Sequence, residues 1–297
     1  MKQLLIRADD LGYSYAVNVG LVRSAAEGLA RSVGVMPNMP ETERGLAWLR
    51  DSGADVALGQ HSNVCLGVPV ADASLVPSLL GPDGNFRSSR EYRASYQRGE
   101  DFVTYEEAVV ELEAQLSRFR ELTGRDPDYF EAHAVLSPNL DRAVSHVART
   151  HGLLEQPVSF DPAATVDCGG TPVRMVMRSM SPDYDPAAAI RQTVESMADG
   201  ETVVFVCHPG YLDDFILHSS SLTTDRTKEV DALVDPALRA WLESRDDLRL
   251  IDYRDLKEAG PERRLLGELS VGERDLAEGR TVSCDDDSRR LRDKFGL

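Results

Sequence analysis

Short apolar, β-branched runs recur along the chain and alternate with stretches whose apolar positions return every three or four residues. The runs at 3–8, 32–36, 56–60, 129–133, 173–178, 202–207 and 249–253 read as strands. Between them, 16–29, 42–51, 105–123, 140–151, 186–198 and 227–244 carry the helical period. Strands alternating with helices on this scale predict a mostly parallel sheet with helices packed outside it. About seven parallel strands in the first 260 residues fit a closed or nearly closed, TIM-barrel-like (β/α) barrel better than an open doubly wound α/β sheet. Such a barrel carries its chemistry at the carboxyl ends of its strands, so polar residues there weigh more than polar residues elsewhere.

Two stretches interrupt the alternation. Residues 65–104 contain the turn-forming run Leu80-Gly81-Pro82-Asp83-Gly84-Asn85-Phe86 and an aromatic, charged segment around Tyr92 and Tyr96. They read as a long insertion that shapes a substrate site. From Pro261 onward charge dominates, with Asp285-Asp286-Asp287-Ser288-Arg289-Arg290 near the end. Residues 1–260 are therefore expected to form the barrel domain and 261–297 a charged helix or tail.

The strand ends hold a distinctive set. Asp9 and Asp10 follow Leu4-Leu5-Ile6-Arg7-Ala8, and His61 follows Val56-Ala57-Leu58-Gly59-Gln60. His133 follows Tyr129-Phe130-Glu131-Ala132. His208 closes Val203-Val204-Phe205-Val206-Cys207, where the turn Pro209-Gly210 would hold it at the barrel mouth. Each has an ordinary explanation alone: a capping or turn aspartate, a hydrogen-bonded core or rim histidine. A cap needs only one carboxylate, however. Two adjacent carboxylates at the end of a buried strand repel each other and lose hydration, a cost that a cation or a shared proton resolves.

Three of the six histidines share this placement, whereas His146, His151 and His218 fall in helical or Ser-rich stretches and read as structural or solvent-facing. One carboxylate with two imidazoles is a facial set suited to zinc and related divalent ions, with positions left open for water or substrate. A second carboxylate can then act as general base and a further histidine as general acid. This is the constellation of a hydrolase.

Composition narrows the partners. A net charge of −17 speaks against nucleic acid and anionic membranes and leaves an uncharged or cationic small molecule. The four cysteines form no Cys-x-x-Cys pair, so neither a thiolate zinc site nor a disulfide framework is expected. No apolar run approaches a membrane span, and Met1-Lys2-Gln3 leads straight into the first strand without a leader, so a cytoplasmic protein is expected.

Several blocks recur in a familiar order: Ala8-Asp9-Asp10-Leu11-Gly12 with Asn18 and Gly20, then Gly59-Gln60-His61 leading to Gly67-Val68-Pro69-Val70. Gly124-Arg125-Asp126-Pro127-Asp128-Tyr129-Phe130-Glu131-Ala132-His133 and Cys207-His208-Pro209-Gly210 follow. Last comes Ser221-Leu222-Thr223-Thr224-Asp225-Arg226-Thr227-Lys228-Glu229, before Leu233-Val234-Asp235-Pro236. In this order, over about residues 1–258, the chain resembles the YdjC-like (ChbG-type) carbohydrate deacetylases.

The resemblance implies a deformed barrel that removes the N-acetyl group from an amino sugar or short N-acetylated oligosaccharide with a divalent metal ion, zinc or magnesium. It implies Asp10, His61 and His133 as metal ligands, Asp9 as general base and His208 as general acid. Arg226, in an Arg-x-x-Glu element, would orient substrate or a carboxylate; the alternative is a surface residue of a helix N-terminus paired with Glu229. Homodimers have precedent in the family, and the acidic charge does not forbid one. The chain departs from the family in its histidine-rich run: Glu131-Ala132-His133-Ala134-Val135-Leu136-Ser137 keeps only the first histidine. Two rival readings remain. The same metal site would cleave an ester or another small amide, or the scaffold would bind carbohydrate without catalysis.

Overall fold

The structure, a computed structural model, describes residues 1–133, 135–159, 161 and 163–258. The chain opens with β1 (Lys2–Leu11), α1 (Tyr15–Ala26), β2 (Ser32–Val35), α2 (Thr42–Asp51) and β3 (Ala57–Ser62). Then come α3 (Ser89–Gln97), α4 (Tyr105–Thr123), β4 (Tyr129–Ala132) and α5 (Pro138–His151). A hairpin, β5 (Thr165–Cys168) and β6 (Thr171–Met177), leads to α6 (Pro186–Ser196) and β7 (Thr202–Cys207). The described chain finishes with α7 (Asp214–Ser219), α8 (Thr224–Leu233), α9 (Pro236–Glu243) and β8 (Leu248–Ile251).

The strands lie in the order β4-β3-β2-β1-β7-β6-β5, with β8 also paired to β1. Every pairing is parallel except that of β5 with β6. Strand β1 is long enough to be shared: residues 2–5 pair with β8 and residues 7–11 with β2, while β7 runs along 3–8. The sheet curls into a deformed (β/α) half-barrel, as expected from sequence. Tyr129 of β4 stacks on Tyr253, just beyond β8, with ring centroids 3.8 Å apart. A flat sheet with strands about 4.8 Å apart would hold these rings far from each other.

Strand periodicity sorts the side chains. Leu5, Ala57, Tyr129, Val173, Val204, Val206 and Ile251 pack inside the curl. Leu4, Ile6, Val203 and Phe205 point outward against Ile190 and Val194 of α6 and Leu238 and Leu242 of α9. Val33 and Val35 face Leu21 of α1 and Leu46 and Leu49 of α2.

Three elements differ from the sequence expectation. The β5–β6 hairpin was not anticipated; Gly169 and Gly170, at φ 64° and 94°, make its two-residue turn, a geometry that side chains with a Cβ disfavour. The single helix expected over 227–244 is two. Pro236 cannot continue α8, because it lacks an N–H, and instead starts α9, with the Asp235 carboxylate accepting from the N–H groups of Ala237 and Leu238. The segment 65–104 carries α3 and packs as an outer layer. Val76, Leu79, Phe86 and Tyr92 lie against Leu112 and Leu116 of α4 and Leu140 of α5. The charged tail expected over 261–297 lies outside the described residues. Among those described, no helix is long and apolar enough to cross a membrane.

Candidate active site

The doubled aspartate is explained by a break in the strand. Residues Arg7, Ala8 and Leu11 of β1 stand opposite Ser32, Val33 and Val35 of β2, so three steps on one strand match two on the other. This is a β-bulge. Strict alternation would aim Asp9 inward and Asp10 outward. The bulge, with Asp10 at φ 85°, turns both carboxylates into the barrel mouth. The turn after them is pinned by Asn18, whose side-chain oxygen accepts from the Gly12 N–H at 2.7 Å and whose amide donates to the Glu41 carbonyl at 2.8 Å. Room for Asp9 comes from β2: a Cβ on Gly34 would stand 2.6 Å from Asp9 Oδ1 and 3.2 Å from the His61 Cβ.

His61 and His133 arrive on the inward positions of β3 and just beyond β4. His61 Nε2 lies 2.8 Å from His133 Nδ1, and the two nitrogens stand 3.4 Å and 3.2 Å from Asp10 Oδ1. All three ligand atoms lie within 4.8 Å of one another. Asp10 Oδ1 is buried and has no hydrogen-bond partner, while Oδ2 accepts from the Arg226 guanidinium at 2.8 Å. A free buried carboxylate oxygen beside two converging imidazole nitrogens is a donor set that fits a divalent cation.

A second trio, Asp9, His61 and Glu131, meets the same spacing, but Arg7 is already its cation. The Arg7 guanidinium donates to Asp9 Oδ2 from Nε at 3.1 Å and from its terminal nitrogen at 2.8 Å, and pairs with Glu131 at 2.6 Å. Glu131 in turn holds His61 Nδ1 at 2.8 Å, which leaves His61 Nε2 to face Asp10. Asp9 Oδ1, like Asp10 Oδ1, is buried without a partner. Three buried carboxylates therefore share two guanidiniums: Arg226 serves Asp10 alone and Arg7 serves both Asp9 and Glu131, so the shortfall of positive charge falls on that pair and the His61 ring beside it.

The titrations follow from this arrangement. Burial pushes the Asp9 carboxyl up, with Arg7 opposing it. Burial works in the same direction on Asp10 and Glu131, but His133 and Arg226 hold Asp10 well below the usual carboxylate range, and Arg7 and His61 hold Glu131 down. For His61, burial disfavours the charged ring, yet Asp9 and Glu131 outweigh it and raise the imidazole to about 9. His133 is raised well above its ordinary value in the same way, chiefly by Asp10.

His208 follows β7 at the same end of the sheet but stands apart from these groups. The chain after it packs closely on α1: a Cβ on Gly20 would lie 2.7 Å from the Gly210 Cα. His208 Nδ1 meets Ser179 Oγ at 3.3 Å, and its backbone N–H donates to Glu229 Oε2 at 2.6 Å. Glu229 Oε1 accepts from the hydroxyls of Ser179 at 2.6 Å and Tyr184 at 2.9 Å. Burial pushes His208 down to about 4 and Glu229 up to about 7.

Arg226 is not at the surface and does not pair with Glu229. It is 2% exposed, reaches Asp10, and lies over the Tyr13 ring at 5.2 Å. Three histidines stay outside the site: His151 pairs with Glu113, His218 is exposed beside Asp214, and the His146 ring lies against Tyr105. Sequence reading missed Arg7, Glu131, Ser179 and Tyr184. Arg7 and Glu131 had a signal, since each is a charged residue on the inward period of an apolar strand. Ser179 and Tyr184, in the stretch between β6 and α6, had none.

The family model described as YdjC-like protein matches residues 3–244. A protein named carbohydrate deacetylase from Geobacillus stearothermophilus is 29% identical over 84% of this chain and 96% of its own. Carbohydrate deacetylase 2 of Listeria innocua is 27% identical over 86% of this chain and 98% of its own. A chitooligosaccharide deacetylase of Klebsiella pneumoniae is 29% identical, covering 85% and 98%. A solved structure from Enterococcus faecalis, described as a cellobiose-phosphate cleavage protein, superposes with a TM-score of 0.72 at 24% identity, covering 86% of this chain and 98% of its own, which supports the fold.

Proposed function

The chain belongs to the YdjC-like protein family, and we propose that it is a metal-dependent carbohydrate deacetylase acting on an N-acetylated amino sugar or short oligosaccharide. The reading rests above all on two buried, unpartnered oxygens, Asp9 Oδ1 and Asp10 Oδ1, set beside the converging nitrogens of His61 and His133. The relatives' names supply the substrate class.

Asp10, His61 and His133 would hold the ion; two imidazoles with one carboxylate suit zinc, and magnesium is the other candidate. Bound there, a divalent cation supplies Lewis acidity to the acetyl carbonyl and to the attacking water. Asp9 takes the water's proton. Arg7 clamps its Oδ2 and leaves Oδ1 free, and burial favours the protonated carboxyl that results. His208, half-buried at the mouth, gives a proton to the departing nitrogen so that it leaves as an amine. Arg226 orients the Asp10 carboxylate by holding Oδ2 and presenting Oδ1.

The test is acetate release from N-acetylated chitooligosaccharides by the zinc- or magnesium-loaded protein. Asp10→Ala and His133→Ala are expected to lose both the ion and turnover. Asp9→Asn keeps the ion and loses about 10²- to 10⁴-fold in kcat. An ion still tightly bound to the Asp10 variant overturns the ligand set. Acetate released from simple acetate esters and never from the amides moves the reading to an esterase, and sugar binding without acetate release moves it to a binding protein.

A further inference from the structure

Helix α8 carries Arg226 and Glu229 one turn apart on a single buried face, 2% and 0% exposed. The two side chains serve different ends of the site. Arg226 reaches Asp10, whereas Glu229 is held by Ser179, Tyr184 and the His208 backbone. No cationic side chain is bonded to this buried glutamate; three hydrogen bonds hold its carboxylate, and burial still pushes it up to about 7, so it carries its full charge only above neutral pH. The imidazole of His208 lies one hydroxyl away, with Ser179 between the two.

The hydrogen-bond directions follow from the donors on hand. An ionised Glu229 accepts only, so the Ser179 hydroxyl donates to Oε1, over the short distance of 2.6 Å. Ser179 Oγ then offers a lone pair to His208 Nδ1 at 3.3 Å, and that nitrogen must carry the proton. The ring's other nitrogen, Nε2, is left as the one that gains and gives a proton.

We propose that Ser179 and Glu229 are positioning residues for His208, forming a His208–Ser179–Glu229 relay in which a serine hydroxyl transmits the glutamate's charge to the imidazole and fixes its Nδ1–H form. The inference deepens the deacetylase reading and rests on it for the role of His208. No proton need travel along the relay. Once Nε2 has taken up a proton from solvent, His208 passes it to the leaving nitrogen as the C–N bond breaks, the C–N electron pair stays on that nitrogen, and the ring returns to its neutral Nδ1–H form. Before that step the imidazolium is stabilised by Glu229 through Ser179. Without the relay, the other charged groups facing His208 are Asp9, Asp10, Arg226 and His61. The two aspartates are already paired, Asp9 with Arg7 and Asp10 with Arg226.

Two variants test the relay: Ser179→Ala removes the link, and Glu229→Gln keeps the shape without the charge. On an N-acetylated chitooligosaccharide each is expected to lose about 10- to 100-fold in kcat with KM within about twofold, and to move the alkaline limb of the kcat profile about one unit lower. On an aryl acetate, whose leaving group needs no proton, the loss should shrink to within about threefold. ¹⁵N NMR of the metal-free protein should show His208 as the Nδ1–H tautomer, with that preference lost in Ser179→Ala, a readout independent of turnover.

An unchanged tautomer together with equal losses on amide and aryl ester overturns the relay and reduces the two residues to packing. His208→Asn separates the layers. If it is inactive on the amide while Ser179→Ala behaves as wild type, the relay alone fails. If His208→Asn keeps full amide turnover, the acid assignment fails and the relay with it.

Discussion

His61 and His208 end strands of one sheet, at the same mouth, yet their imidazoles are driven apart. At His61 the local carboxylates outweigh burial and lift the ring to about 9; at His208 burial prevails and takes it to about 4. The residue type and its strand-end placement are the same. What differs is the second layer. Behind His61 stands Glu131, bonded directly and itself paired with Arg7. Behind His208 stands a carboxylate one hydroxyl further away. One side of the mouth is built to receive positive charge and keep it. The other keeps a ring that is neutral at rest and gives up readily any proton it takes on.

The sharpest way to break that contrast is to remove the guanidinium that serves the positive-seeking side. Arg226→Met leaves Asp10 buried without its fixed partner, and cutting one side of a buried ion pair costs about 3–5 kcal/mol. The loss, read from urea midpoints of the metal-free protein, should shrink when a saturating divalent ion is added, because the ion then neutralises Asp10. An equal loss with and without the ion would show that Arg226 supports packing and not the charge at Asp10.

A subtler change keeps every charge at Asp10 and alters the support of His61, together with the charge that Arg7 meets at Glu131. In Glu131→Gln the side-chain carbonyl still accepts from His61 Nδ1, but the negative charge that makes the ring a better donor is gone. Divalent-ion affinity is expected to fall about 10- to 100-fold by calorimetry, with the fold intact by circular dichroism. Unchanged affinity would make the two sides of the mouth more alike than their hydrogen bonds indicate.

The same contrast marks what could be read from the chain itself. The barrel, seven parallel strands and the placement of Asp9, Asp10, His61, His133 and His208 at strand ends were legible, because strand ends and period-two patterning are local properties of sequence. The bulge was hidden. Nothing in Ala8-Asp9-Asp10-Leu11 announces that β1 takes three steps where β2 takes two, since that depends on the partner strand. What holds Asp9 also went unread: the expectation made it a general base, and the structure shows its carboxylate held by Arg7, two positions earlier on the same inward face. The Gly169-Gly170 turn was legible and went unread. Ser179, Tyr184 and Glu229 meet at His208 only through the packing of α8 against the segment after β6, a long-range fact that no local pattern encodes.

The smallest expected effect bears on the neutral side alone. His208 folds with its pKa lowered from 6.5 to about 4, so between those values the unfolded chain binds a proton that the folded one does not. Stability must therefore fall as pH drops from 6.5 toward 4, with a slope of no more than about 1.4 kcal/mol per pH unit from this residue, and less for a ring with an open face. His208→Asn removes that term. The difference in unfolding free energy between wild type and variant, both metal-free, should be flat above pH 7.5 and should shift in the variant's favour by about 1 kcal/mol at pH 5. Taking the difference cancels the carboxylates common to both proteins. Two curves that stay parallel from pH 8 to 5 would mean that His208 titrates normally in the folded chain, and the contrast between the two histidines would then rest on His61 alone.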